Sequence, residues 1–342
     1  MKFEAVPLEE AEDQILGHNI TGGSGRRVLR KGRPLGTDDI AKLRALGRTS
    51  VYVARLEQGD LPEDEAAGRI SLALAAPGCR LSAARTGRVN FYAEQPGVLR
   101  LELGRLVALN SLPGVTLATL PERSGVAAGK MVATLKVIPY ALGKEVVETA
   151  EEIAARPAPL VTLSPMVLHR VGLILSGAAG AQERIVSSFR NALAPRLSAL
   201  GATLQEPVFL PLEEEGAEEQ LAMAIQGERD RGIEVLLLAG DTAIMDRFDI
   251  APRAVELAGG TVSSFGAPVD PGNLLLVGYL KCGLPVVGAP GCARSPKRNV
   301  IDLVLPRILT GECLGPKEIA ALGHGGLLED VPERPAPRSR LG

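Results

Sequence analysis

Tryptophan is absent from these 342 residues, and aromatic side chains make up only 3 % of them. That removes the stacking platforms on which single-stranded nucleic acid is usually held. A formal net charge of -2 supplies no broad cationic field for a polyanion or an anionic surface. Neither nucleic acid nor a membrane is therefore expected as a partner. The four cysteines, Cys79, Cys282, Cys292 and Cys313, are far apart and form no Cys-x-x-Cys, so neither a zinc knuckle nor a disulfide framework is expected. The three histidines, His18, His169 and His324, assemble no triad or metal set. No apolar run reaches the roughly 18 residues of a membrane span, and the first residues are charged where a signal peptide is apolar. A cytoplasmic protein is expected. Hydrolase, zinc protease and dehydrogenase motifs are missing from every strand-to-helix junction.

What is present is an ordinary globular composition, 46 % apolar and 23 % charged, in a chain long enough for two or three domains. Acids followed by apolar residues at helical spacing predict a helix over Pro7 to Leu16. Gly22-Gly-Ser-Gly-Arg-Arg27 lacks the Lys-Ser/Thr ending of a phosphate loop and reads as a turn. Thr37 caps a helix to Leu46, with Gly47 as its stop, before a short strand at Val51 to Val53. A helix is expected over Ala66 to Ala75. Period-two alternation then predicts a hairpin of Val89 to Glu94 and Val98 to Leu103 about a Gln95-Pro-Gly97 turn. The resulting divisions are an N-terminal α/β segment over 1–79, a β-rich domain over 80–140, a helix and linker over 141–166, an α/β domain over 167–312, and a tail over 313–342, disordered from Pro332.

The α/β domain alternates apolar runs with amphipathic helices. Val171 to Leu175 is a buried-strand candidate, and the helix Gln182 to Leu200 carries Ile185, Phe189, Leu193 and Leu197 on one face. A second run, Val235 to Leu238, ends at Gly240 and opens into a loop with Asp241, Asp246 and Asp249 before a helix starting at Pro252. A third, Leu284 to Val287, turns through Gly288-Ala-Pro-Gly291 into Cys292 to Lys297. There Ser295 and Pro296 suit the cap and first position of a helix. Loops leaving the carboxyl ends of neighbouring strands in an open α/β sheet face one crevice, and helix N-termini there favour phosphate. Arg294, Lys297 and Arg298 add positive charge. Asp241 and Asp249 are equally readable as Mg²⁺ ligands, which use one or two carboxylates beside substrate phosphates, or as solvated helix-start acids. Val269-Asp270-Pro271-Gly272-Asn273 is a turn by its chemistry.

Three stretches, Gly240-Asp241-Thr242 with Asp249 to Pro252, Phe265-Gly-x-Pro-Val-x-Pro-Gly272, and Gly288-Ala-Pro-Gly291, resemble the molybdopterin-binding domain of molybdenum cofactor biosynthesis. That domain is shared by molybdopterin molybdenumtransferases and adenylyltransferases, and the resemblance covers Leu168 to Glu312. The wording Gly-Ala-Pro-Gly-Cys-Ala-Arg-Ser-Pro is similar to versions associated with cytidylyl transfer. The resemblance implies a three-layer α/β/α molybdopterin-binding-type fold with a molybdopterin ligand and Mg²⁺. It implies catalytic and metal roles for Asp249 and Asp241, and cofactor contacts from Ser176, Gly177, Gly240, Thr242, Pro252, Asp270, Pro271, Gly272, Pro290, Gly291, Cys292, Arg294, Ser295 and Lys297. Molybdate insertion into adenylylated molybdopterin is the implied reaction. The alternatives are a module that hands the cofactor to a cytidylyltransferase or a molybdoenzyme, and a nucleotide pyrophosphatase; a homo-oligomer is also implied. Gly32, Leu35, Asp39-Ile40 and Leu46-Gly47 are similar to the segment before that domain in the molybdenumtransferases, whose Met-Asp/Ala-Gly-Tyr-Ala motif is missing here. The chain also departs from the molybdenumtransferases at the first strand's loop. Their Thr-Gly-Asp-Glu is matched by Ser176, Gly177, Ala178 and Ala179, and their Asp-Ser-Asn by Ser187, Ser188 and Phe189.

Overall fold

The computed structural model describes residues 1–23, 25–211, 216–241 and 243–328. The chain divides into two units. The first comprises Met1–Glu94, Arg100–Glu122 and Gly129–Leu163, and the second Gln95–Leu99, Arg123–Ala128 and the chain from Ser164 onward.

In the first unit the strand Ser50–Arg55 is flanked by Lys2–Pro7 and Ile15–Leu16. The expected helix over Pro7 to Leu16 is replaced by that first strand, a single 3-10 turn at Leu8–Glu10 and the short strand after it. Asp13 takes a left-handed φ of 62°, which no helix interior accommodates. Val6, Leu8, Leu16, Val51 and Val53 instead meet Leu35, Ile40 and Leu43 in a small core. A four-stranded sheet follows, ordered Val115–Thr119, Met131–Val137, Arg88–Ala93, Cys79–Leu81. The expected hairpin about Gln95 does not form. Arg88–Ala93 pairs with Met131–Val137, whereas Gly97–Arg100 pairs with Gly125–Val126. The residues after Arg100 wind into a helix, Leu103–Asn110, whose first N–H groups are capped by the Glu102 carboxylate.

The second unit is built on a seven-stranded sheet. Its elements, numbered from here, are β1 (Arg170–Ser176), α1 (Gln182–Ala199), β2 (Thr203–Leu204), β3 (Val208–Leu210), α2 (Ala217–Asp230), β4 (Val235–Gly240), α3 (Ile250–Leu257), β5 (Gly260–Phe265), β6 (Leu276–Leu280), β7 (Pro285–Gly288) and α4 (Ile301–Leu309). The order is β2-β1-β4-β7-β6-β5, with β3 also on β1. β1, β4 and β7 run parallel, and β6 and β5 are antiparallel additions. The sequence pattern marked the parallel strands because each is buried on both faces and reads as a continuous apolar run. It did not mark β5 and β6.

Alternate residues of each strand feed different cores. Val171, Leu173, Leu175, Val235 and Leu237 pack with Ile185, Phe189, Leu193 and Leu197 of α1 and Val304, Leu305 and Ile308 of α4. Ile174, Leu236 and Leu238 pack on the other face with Leu221 and Ile225 of α2 and Ala254 and Val255 of α3. This is the three-layer α/β/α arrangement. At roughly 1.5–3 kcal/mol for each fully buried large apolar side chain, the α1 stripe alone is a major part of what holds that face. Pro306 lies inside α4.

Candidate functional site

The carboxyl ends of β1 and β4 are fastened together just past the sheet. The Asp241 N–H donates to the Ser176 carbonyl at 3.0 Å. A Cβ on Gly240 would lie 2.5 Å from Ser176 Oγ and 2.7 Å from the Ser176 carbonyl oxygen, which excludes a side chain, while one on Gly177 would lie 2.6 Å from Ile185 Cδ1, a side-chain end that would have to shift. β7 continues the pattern, because the Ala289 N–H donates to the Leu238 carbonyl at 2.7 Å. Ser176, Gly177, Gly240 and Asp241 therefore form one ledge, and the turn through Pro290 and Gly291 leaves the sheet beside it.

The two loops meet through charge. Arg294 Nη1 lies 3.6 Å from Asp241 Oδ1, and Arg184 Nη2 reaches both Asp241 oxygens at 3.2 and 3.0 Å. The Arg294 guanidinium also sits over the Phe189 ring, 5.8 Å from its centroid. Arg184 was not anticipated, although a signal existed. A cation in the first turn of α1 opposes the helix dipole and needs an anion nearby.

Thr242 lies outside the described residues, as does the tail from Pro332. Asp249 does not keep a free carboxylate: it is the cap of α3, accepting from Ile250 N–H at 2.7 Å and Met245 N–H at 3.0 Å. α3 thus begins two residues before Pro252, which is buried in its first turn. Asp246 similarly accepts from Phe248 N–H at 2.8 Å. Ser295 and Pro296 do not start a helix. Gly291–Arg294 is a 3-10 turn, the Ser295 hydroxyl accepts from Lys297 N–H, and α4 begins at Ile301. The true organiser there is Asn299, 1 % exposed, whose side-chain amide donates to the Cys292 and Lys297 carbonyls while its oxygen accepts from Ile301 N–H. Arg196 from α1 binds Asp302 at 2.9 Å and the Lys297 carbonyl at 2.7 Å, so this basic turn is held rigidly against α1. Lys297 itself is exposed.

Asp270, Pro271 and Gly272 approach the same turn from the other side. Val300 N–H donates to the Pro271 carbonyl at 3.2 Å, and Gly272, at φ 138°, leaves no room for a Cβ against Val300. The Cys292 thiol lies between these segments. Burial raises its pKa, with Asp270 and Asp302 adding to the rise against the pull of its backbone hydrogen bond and Arg196. It is therefore a protonated thiol at neutral pH and not a ready nucleophile.

What this set could do chemically is bind an anion. Two guanidiniums converge on one exposed point, and a planar fork is suited to carboxylate or phosphate oxygens. Among the described residues no three His, Cys, Asp or Glu side chains gather as a metal site. With two guanidiniums beside Asp241, which repel a cation, and Asp249 committed to two backbone N–H groups, these residues as they stand do not fit a resident Mg²⁺. An open groove of about 550 Å³ lies at the start of α1, with Ala179, Glu183, Ser187 and Arg190 in its lining.

No helix among the described residues is long and apolar enough to cross a membrane. One known family, described as a domain of unknown function (DUF8806), matches residues 5–55. No curated protein matches the chain. Among solved structures, a molybdenum cofactor biosynthesis protein from Pyrococcus furiosus aligns over 94 % of this chain and 65 % of its own, at 13 % identity and a TM-score of 0.23. The molybdopterin biosynthesis moeA protein from Pyrococcus horikoshii aligns over 94 % and 75 %, at 12 % identity and a TM-score of 0.26. The chain thus spans about two thirds of the first of these, and at such scores the likeness carries no argument for what this chain does.

Proposed function

We propose that the second unit binds molybdopterin, or its nucleotide-linked form, and that the protein acts in molybdenum cofactor biosynthesis. The observation that carries the reading is the convergence of Arg294 and Arg184 at the carboxyl ends of β4 and β1, beside the ledge of Ser176, Gly177 and Gly240. A ligand phosphate at that point meets two guanidiniums, and the resemblance of the surrounding motifs supplies the pterin as its bearer. Asp270 and Gly272 then border the pterin end and the Cys292 to Lys297 turn borders the phosphate. No step is assigned to Mg²⁺.

Two readings of the chemistry follow. In one the unit releases AMP from adenylylated molybdopterin as molybdate is inserted. In the other it only holds the cofactor and passes it to a cytidylyltransferase or a molybdoenzyme. The second is favoured by Ala178 and Ser187, both exposed, where the molybdenumtransferases carry acids. Mixing the purified chain with adenylylated molybdopterin, molybdate and Mg²⁺ separates them, because retention of ligand without AMP release leaves the carrier. For the binding site itself, Arg294→Ala is expected to weaken phosphate-bearing pterin about tenfold or more, in line with the loss of a charge-assisted bond worth roughly 1.5–3 kcal/mol. A dephosphorylated pterin should lose little; equal losses for both remove the phosphate from this site.

A further inference from the structure

Asp241 was expected beside the ligand as a metal ligand, yet its carboxylate occupies the point on which both arginines converge. Its loop does not require that placement, since the Asp241 backbone N–H already anchors the loop to Ser176. Among the described residues the carboxylate meets only the two guanidiniums. Asp241 and Arg294 are each 35 % exposed and Arg184 is 62 % exposed, so these pairs face water and are weak enough to exchange.

We infer that Asp241 is an internal competitor for the phosphate site: it occupies Arg184 and Arg294 in the free protein, and an incoming phosphate takes those guanidiniums by displacing it. This rests on the phosphate reading above and deepens it. The Asp241 contact lowers the apparent affinity, because the binding-competent arrangement is only a fraction of the free population. That reduction belongs to the free protein, so it is the same factor for every anion that uses the fork. If Asp241 instead stayed beside the bound phosphate, its repulsion would penalise a dianion more than a monoanion.

The experiment is titration calorimetry on the full chain in EDTA at pH 7.5, with phenyl phosphate as the dianion and methyl phenyl phosphate as the monoanion. The proteins are the unmodified chain, Asp241→Asn, Arg294→Ala and the double variant. Asn at 241 is isosteric and leaves the backbone anchor intact; a thermal melt verifies each fold. Asp241→Asn is expected to tighten both ligands by one common factor, about two- to fivefold given the strength of exposed ion pairs. That gain should shrink in the Arg294→Ala background. Unchanged or weaker binding by Asp241→Asn, with Arg294→Ala still impaired, overturns the competitor while leaving the phosphate site standing. A larger gain for the dianion also overturns it, because Asp241 then remains with the ligand. A melt raised by Mg²⁺ alone in the unmodified chain, and not in Asp241→Asn, overturns it in favour of a metal ligand. Absence of binding by all four proteins removes the phosphate reading and the competitor together.

Discussion

Residue identities were legible where chemistry is local and illegible where it is shared across the fold. Asp241 and Arg294 stood out as charges in loops after apolar runs, but their pairing depends on β4 and β7 being neighbours, which spacing does not encode. Arg184 and Asn299 were passed over because one lies on the polar side of an amphipathic helix and the other in an apparently basic turn. Cys79 gives a residue-scale prediction. Burial pushes its thiol from 9.0 up to about 11, with Glu94 adding to the shift. The folded state holds that proton more tightly than the unfolded chain, so the associated stability is fully present below pH 9 and is lost as the pH climbs towards 11. Denaturant midpoints measured from pH 8 to pH 11 should fall for the unmodified chain and fall less for Cys79→Ala. Parallel curves would show that the thiol is not the source.

Elements followed the apolar pattern closely and missed where polar atoms set the ends. α1 and β1 came out within a residue or two of expectation, because their stripes are long and regular. α3 and α4 start elsewhere because Asp249 and Asn299, rather than the Ser or Pro nearby, supply the oxygen that accepts the first N–H. The hairpin about Gln95 failed for a different reason: alternation identifies a strand but not its partner. Asp249→Ala is expected to destabilise the second unit by about 1 kcal/mol, the usual value of a helix cap, even with no ligand or metal present. Chemical denaturation in EDTA measures it. A stability unchanged by the substitution would mean the carboxylate serves binding rather than capping.

At the scale of the whole molecule, composition fixed the general class while the chain's path stayed hidden. The second unit recruits two short pieces from far upstream, Gln95–Leu99 and Arg123–Ala128. Val98 and Val126 in them are fully or nearly fully buried, and Gly125 lies so close to Pro306 that a Cβ there would be 2.6 Å away. A fragment beginning at Ser164 should therefore melt well below the second unit's transition in the full chain and bind a hydrophobic dye such as ANS. Equal melting of fragment and full chain would show that these strands add nothing. The two-sided burial of β1, β4 and β7 has a last consequence. A strand slipped by one place would normally turn charge inward and be rejected, yet here either alignment presents oily side chains to both layers. Polarity cannot police the alignment, so close fit must: a Cβ on Gly240 would lie 2.7 Å from the carbonyl oxygen of Ser176, its partner on the neighbouring strand, so a residue with a side chain is resisted there. The glycine that shapes the ledge thus also resists a slip of β4 against β1.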